Sequence, residues 1–360
     1  MKASQDVIRQ FTSNGWFCSK GAYVLVDGQY GSTGKGLLAS VMAEAGAGLI
    51  STVTTNAGPN SGHTAYSPVD SQKIVTQQIP IAGVVLHQMG HAPVVYMNAG
   101  SVINPDIFLT EAELIAKSRI SVSPFAAVID PEDLVTEAFG SPSQIASTAK
   151  GVGSAIARKV MRGAPLAHQC DKLQPFMHRN HIEWGGQVIE QSWERRVTLV
   201  EVPQGYSLGI NSGFYPYTTS RECTVMQAMA DARIHPNLHC KTISCYRTYP
   251  IRVGNTDKGN SGPVYPDQVE MTWEELGQMP EKTTVTGRVR RVFTWSWIQF
   301  RESLVINRPD ALFINFMNYI KHDAEPFMLQ VYRVYQDTLG YEPEFILTGW
   351  GPLNSDVKVY

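Results

Sequence analysis

The sequence predicts an α/β fold: a mostly parallel central sheet with helices on both faces, interrupted by long functional loops. Three observations predict it. Short apolar, β-branched runs recur along the chain. Segments of helical periodicity stand between them, and three long stretches rich in Gly, Asn, Thr and Arg match neither pattern. A parallel strand buried on both faces reads as a continuous apolar run, because helices cover each side of it.

Tyr23-Val24-Leu25-Val26 is the first such run and stops at a glycine-rich turn. After the turn, Leu37, Leu38, Val41 and Met42 recur at helical spacing, so strand, loop and helix follow one another. Further strands are expected at Val94-Val95-Tyr96-Met97, Val197-Thr198-Leu199-Val200, Ala311-Leu312-Phe313-Ile314 and Phe345-Ile346-Leu347. Between them Asp106–Ser118, Ser220–Ile234 and Phe327–Leu339 read as helices. The loop-rich stretches are Asn56–Ser71, Arg252–Gln268 and Glu281–Arg291, and long loops without structure of their own are usually functional or disordered. Their composition suits anion binding better than disorder.

Bulk properties narrow the function classes. A chain of 360 residues, 43% hydrophobic and 17% charged, is long enough to build a substantial core. The net charge of −2 offers no general attraction to nucleic acid or to an anionic membrane, so direct nucleic-acid binding is not expected. The N-terminal stretch mixes Lys2, Asp6, Arg9, Asn14 and Lys20 with scattered apolar residues and lacks a signal-peptide core. No run is long enough to span a bilayer. Cys18, Cys170, Cys223, Cys240 and Cys245 are odd in number and lack zinc-type spacing, which reads as free thiols in a reducing cytoplasm.

The segment Asp27-Gly-Gln-Tyr-Gly-Ser-Thr-Gly-Lys-Gly36 leaves a strand and opens a helix. Glycines let the backbone turn tightly enough for successive N–H groups to point at one anion. The helix N-terminus adds positive potential and Lys35 a formal charge. Gly36 stands where a Walker A loop has Ser or Thr, so this is a phosphate loop of another kind. The alternative is a glycine-rich turn without a ligand.

The next loop sharpens the reading. Asn60-Ser-Gly-His-Thr64 resembles the Asn-Ala-Gly-His-Thr signature of adenylosuccinate synthetases, and the phosphate loop resembles that family's Gly-Asp-Glu-Gly-Lys-Gly. In order along the chain, Glu201-Val-Pro-Gln-Gly205 is similar to its Glu-Gly-Ala-Gln-Gly, and Tyr215-Pro-Tyr-Thr-Thr-Ser220 to its Tyr-Pro-Tyr-Val-Thr-Ser. Arg252-Val-Gly254, Thr286-Gly-Arg-Val-Arg-Arg291, Thr348-Gly349 and Gly351-Pro352 also have counterparts. The resemblance implies a single synthetase-like domain over residues 1–360, with a fold related to P-loop NTPases.

The family moves the γ-phosphate of a nucleoside triphosphate to the purine O6 and lets aspartate displace it. By resemblance, Thr33, Gly34, Lys35, Gly36, Gly62, His63, Thr64, Asn318, Gly351 and Pro352 would bind the phosphate donor. Lys35 would cradle the transferring phosphate and His63 would donate a hydrogen bond at O6. The substrate monophosphate would lie against Ser32, Asn60, Thr148, Gln204, Thr219, Val253 and Gly254. Arg162 resembles an arginine that reaches this phosphate from the partner of a homodimer; the alternative is a solvated surface residue. Thr286, Arg288 and Arg290 would bind L-aspartate, since alternate residues of an extended loop share a side and arginines grip carboxylates bidentately. Mg²⁺ is implied, held by Ser32 and Gly62.

Two departures make the expectation specific. Ser32 replaces the family aspartate that takes the N1 proton of IMP and helps ligate magnesium, and a hydroxyl is too weak an acid to do this alone. The short neutral side chain opens space beside N1, where guanine carries a C2 amino group. This is similar to bacteriophage 2-aminoadenylosuccinate synthases, which act on dGMP and feed synthesis of 2-aminoadenine DNA. A phage-encoded chain would work in the host cytoplasm. What replaces the lost base is open, with Asp27 either a substitute or a turn carboxylate. Asn318 replaces the aspartate of the family's Thr-Lys-Leu-Asp; an amide offers a donor and an acceptor, matching adenine rather than guanine, so ATP or dATP is expected in place of GTP. The alternatives are an ordinary IMP-using synthetase and a catalytically silent nucleotide-binding homologue.

Overall fold

The computed structural model describes residues 1–13, 15–177, 193–283 and 287–360. Its main sheet has nine strands: β1 (Gly21–Asp27), β2 (Thr52–Thr55), β3 (Val94–Met97), β4 (Ile120–Val122), β5 (Val197–Glu201), β6 (His239–Arg247), β7 (Ala311–Asn315), β8 (Ile346–Gly349) and β9 (Val357–Val359). Their order across the sheet is β9-β8-β7-β6-β1-β5-β2-β3-β4. All neighbours are parallel except β8 and β9, which are antiparallel at one edge.

Every residue of β1 is buried, which explains its continuous apolar reading. Its side chains alternate between two cores. Tyr23 and Leu25 face a cluster with Leu38, Met42 and Val84, whereas Ala22, Val24 and Val26 face Val225, Ala228 and Met229. Helices therefore cover both faces, as the period of two requires. A third cluster packs Leu312, Ile314 and Ile346 against Phe300, Leu304, Val331 and Tyr335.

The expected strands and helices are present with shifted ends. The helix expected from Asp106 runs Pro105–Ala112, started by Asn104, whose side chain accepts from Asp106 N and Ile107 N. The one expected over Ser220–Ile234 is confined to Val225–Asp231, because Thr224 is extended and caps Gln227 N. The C-terminal one begins earlier, at Ala324. The sequence reading had no strand at β6, although β6 pairs with β1 along its length. Its Thr242, Ser244 and Arg247 are buried, so the apolar run that marks the other strands is broken by polar residues.

Two buried carboxylates fix the path into the helix Ile81–Gln88. Glu111 accepts from the backbone of Gln77, Gln78 and Ile79 at 2.6–3.0 Å. Glu201, at the end of β5, accepts from Ile81 N at 3.1 Å and Ala82 N at 2.7 Å. Burial pushes the Glu201 carboxyl up to about 7, against the pull of those two N–H groups and of Lys35. Just before this segment, His63–Tyr66 and Lys73–Thr76 form an antiparallel hairpin, so part of the Asn56–Ser71 loop has its own structure.

Candidate active site

The loops after β1, β5, β6 and β7 leave the carboxyl ends of neighbouring parallel strands and enclose a cleft of about 530 Å³. Its floor is the phosphate loop. Gly31, Ser32 and Gly34 have φ of 86°, 57° and 96°, a run of left-handed residues that folds the backbone around a concavity. The helix Lys35–Ala45 starts directly from Gly34. Gly34 must be glycine for a second reason: a Cβ there would lie 2.0 Å from Asn315 Nδ2, which donates to Thr33 O at 3.2 Å.

Asp27 organises the loop. Its carboxylate accepts from Gln29 N at 2.9 Å, Gly31 N at 3.2 Å, Thr33 Oγ1 at 2.5 Å and Lys35 Nζ at 2.9 Å. With four donors and 1% exposure, Asp27 is a turn carboxylate committed to the loop. Lys35 Nζ also donates to Gln204 O, tying the loop to the segment after β5. Thr33 is wholly buried and spent on Asp27, so its side chain does not reach the cleft. Ser32, in contrast, is exposed to the cleft.

Gly36 explains why this loop is not a Walker A loop. A Cβ at that position would lie 2.3 Å from Thr64 O and 2.9 Å from Thr64 N. The hairpin strand crosses over the start of the helix here, so His63 and Thr64 line the same cleft as Lys35. Packing, with Lys35 as a second cause, presses the His63 pKa down to about 3. The imidazole is therefore neutral at pH 7, with one N–H to donate.

Most of the expected residues converge. Asn60, Gly62, Thr148, Gln204, Thr219 and Val253 line the cleft, as do Asn318, Gly351 and Pro352. Thr219 Oγ1 is buried without a hydrogen-bond partner, an orphan that a ligand oxygen would satisfy. Gly254 is packed behind the wall, where a Cβ would meet Val289 O at 2.0 Å. Arg162 lies outside the cleft, in the left-handed turn after the helix Val152–Val160, beside the exposed Val160 and Met161.

The arginine loop differs from expectation. Arg290 lines the cleft, but Arg288 donates through Nη2 to Ala146 O at 2.9 Å and Ser147 O at 3.1 Å. An antiparallel bridge between Lys282 and Val289 curls the segment back on itself, and the two arginines diverge. Thr286 lies outside the described residues. The guanidinium of Arg290 has no hydrogen-bond partner among the described residues, and burial, then Arg247, lower its pKa to about 10. It remains a cation at neutral pH.

Arg247, Glu281, Phe316 and Tyr319 were not foreseen. Arg247 is fully buried at the end of β6 and donates to Glu281 at 2.5 and 3.2 Å and to Ser32 O at 3.1 Å. Tyr319 donates to the same Glu281 at 3.0 Å. A lone arginine at the carboxyl end of a strand is the signal that would have found it, had the strand been recognised.

Comparison with known proteins gives the family. The adenylosuccinate synthetase family model matches residues 24–183 and 167–339. The N6-succino-2-amino-2'-deoxyadenylate synthase of Salmonella phage PMBT28 is 36% identical, over 95% of this chain and 98% of its own length. That of Vibrio phage phiVC8 is 34% identical, over 94% and 98%. The solved cyanophage S-2L succinoaminodeoxyadenylate synthetase, bound to dGMP and dATP as an energy donor, superimposes with a TM-score of 0.79 at 32% identity, covering 95% of each chain. The chain belongs to the adenylosuccinate synthetase family.

Proposed function

We propose that this chain is a carbon–nitrogen ligase that joins L-aspartate to C6 of dGMP, driven by ATP or dATP, giving 2-amino-2'-deoxy-N6-succinyladenylate for 2-aminoadenine DNA. The observation that carries the reading is Ser32: a short neutral side chain opens into the cleft beside Lys35 and His63, where a carboxylate would crowd the C2 amino group. The purine O6 attacks the γ-phosphorus, ADP or dADP leaves with the electron pair of the broken bond to the β,γ-bridging oxygen, N1 gives up its proton to water, and the 6-phosphoryl purine forms. The aspartate amine then adds at C6, inorganic phosphate leaves with the C–O electron pair, and the amine gives up its proton.

Each residue has a task within its reach. Lys35 neutralises charge on the moving phosphoryl group, and neutral His63 donates to the oxygen on which charge builds. Asn60, Thr148, Gln204 and Thr219 hold the 5'-phosphate through neutral donors. Arg290 takes an aspartate carboxylate, whereas Arg288 is engaged with the backbone of Ala146 and Ser147. Asn318, on the wall with Gly351 and Pro352, pairs with the adenine edge of the donor.

Ser32 and Gly62, both on the cleft, would hold Mg²⁺, a cation that needs few protein ligands. No cluster of three His, Cys, Asp or Glu side chains occurs among the described residues, so the site suits a metal brought by the nucleotide. When bound, Mg²⁺ supplies charge neutralisation between the phosphates. Arg162 stands in an exposed turn with Val160 and Met161, and Val135 and Phe139 are exposed on the neighbouring helix. This supports a homodimer in which Arg162 reaches the substrate phosphate of the second protomer. No helix among the described residues is long and apolar enough to cross a membrane, and the likeness to phage synthases supports work in the host cytoplasm.

The test is a matrix of purine monophosphates against ATP, dATP and GTP, with aspartate and Mg²⁺, followed by product mass. The reading expects the dGMP–aspartate adduct with ATP or dATP. Turnover of IMP without dGMP, or a clear preference for GTP, would overturn it.

A further inference from the structure

Phe316 stands where the family's Thr-Lys-Leu-Asp has its lysine, two residues before Asn318. Its backbone is left-handed, φ 60° and ψ 32°, a conformation that a bulky side chain adopts only when its surroundings enforce it. The enforcement is visible. Phe316 N donates to Asn315 Oδ1 at 2.8 Å, and Thr248 Oγ1 donates to Phe316 O at 2.8 Å. The Arg247 guanidinium lies 3.8 Å from the ring centroid and covers one face, and the Tyr319 ring is inclined to it at 63° with centroids 5.3 Å apart. What remains exposed of the ring lines the cleft on the wall that carries Asn318.

We propose that Phe316, backed by Arg247, is the surface on which the purine ring of the phosphate donor stacks, a specificity-determining residue alongside Asn318. This rests on the reading of that wall as the donor-base site. A lysine at 316 would place an ammonium close to the buried guanidinium of Arg247, so the aromatic residue and the arginine are a matched pair. Arg247 is a positioning residue: it holds the ring from behind and also donates to Ser32 O, so the base shelf and the phosphate loop share one support.

The strain supplies the test. Glycine at φ 60° is unstrained, so Phe316→Gly deletes the ring while favouring the backbone it leaves. In steady-state assays, Phe316→Gly should raise the KM of ATP and dATP on the order of tenfold or more, as expected for losing a stacked base, with the KM of dGMP and aspartate within about twofold of wild type. Calorimetric titration with β,γ-methylene-ATP should show the same loss, and Phe316→Tyr should bind it as the wild type does. An unchanged donor KM in Phe316→Gly, or an equal rise for all three substrates, overturns the proposal. If the glycine variant does not fold, Phe316→Leu, which keeps bulk against Arg247 but has no π face, decides: a raised donor KM supports stacking and a wild-type value overturns it. A wild type that prefers GTP, with Phe316→Gly losing GTP affinity, would sink the adenine assignment and leave the shelf standing.

Discussion

The floor and the arginine wall of the cleft are built on opposite principles. On the floor the charges are paired and fixed within the protein: Lys35 is paired with Asp27, Asp27 holds three further donors, and the ammonium keeps one N–H for a ligand. On the wall Glu281 is committed to Arg247 and Tyr319, which leaves the Arg290 guanidinium charged and without a hydrogen bond among the described residues. The floor is preorganised and defines where a phosphoryl group can lie. The wall holds an unspent cation, which suits it to an anionic substrate such as aspartate. Geometry on one side and charge on the other divide the work between transfer and capture.

The largest effect should come from breaking the floor. Lys35→Ala should lower kcat on the order of a thousandfold, as for loss of a preorganised charge donor. It also strands Asp27 as a buried charge, at a cost of about 3–5 kcal/mol, so the double variant Lys35→Ala/Asp27→Asn should recover stability without recovering rate. Rates of phosphate release and urea unfolding separate the two; a single variant within tenfold of wild type would contradict the assignment of Lys35.

Glu201 tests the same side through pH. Its folded pKa is raised to about 7 from 4.5, so the protonated form is the one favoured by folding. Its contribution is greatest below the unfolded pKa and is lost as pH rises through the folded one, amounting to about 3 kcal/mol. Unfolding free energies at pH 5 and pH 8 should therefore converge in Glu201→Gln relative to wild type, and an unchanged difference would refute it.

On the wall, Arg290→Gln should raise the KM of aspartate roughly ten- to a hundredfold with little change for the donor, as expected for one charge-assisted pair. Equal changes for donor and aspartate would erase the distinction between the two sides. The smallest expected effect is an absence. With the His63 pKa near 3, the pH–rate profile of wild type should show no limb between pH 6 and 7 that His63→Asn removes.

Much of this was legible in the sequence, for identifiable reasons. The phosphate loop and the His63 turn are local signals, written in glycines and their neighbours, and the structure brings both to one cleft, although the hairpin that carries His63 was expected as loop. β6 was missed because Thr242, Ser244 and Arg247 interrupt the apolar pattern in the middle of the sheet. With the strand went Arg247 and its long-range contacts to Ser32, Glu281 and Phe316, which no spacing rule connects. The divergence of Arg288 from Arg290 was hidden for a similar reason. Alternation in an extended strand predicts a shared side, and only the folded loop shows Arg288 donating to the backbone of Ala146 and Ser147.

If the purine is chosen at position 32, through the space left for a C2 amino group, one ratio measures that choice. The quotient of kcat/KM for dGMP over kcat/KM for IMP, taken in wild type and in Ser32→Asp, isolates the side chain from everything it shares with the rest of the loop. The wild-type quotient should lie well above one and fall on the order of a hundredfold or more when the carboxylate is restored against the C2 amino group. A quotient near or below one in wild type, or one that the substitution leaves unmoved, would contradict it.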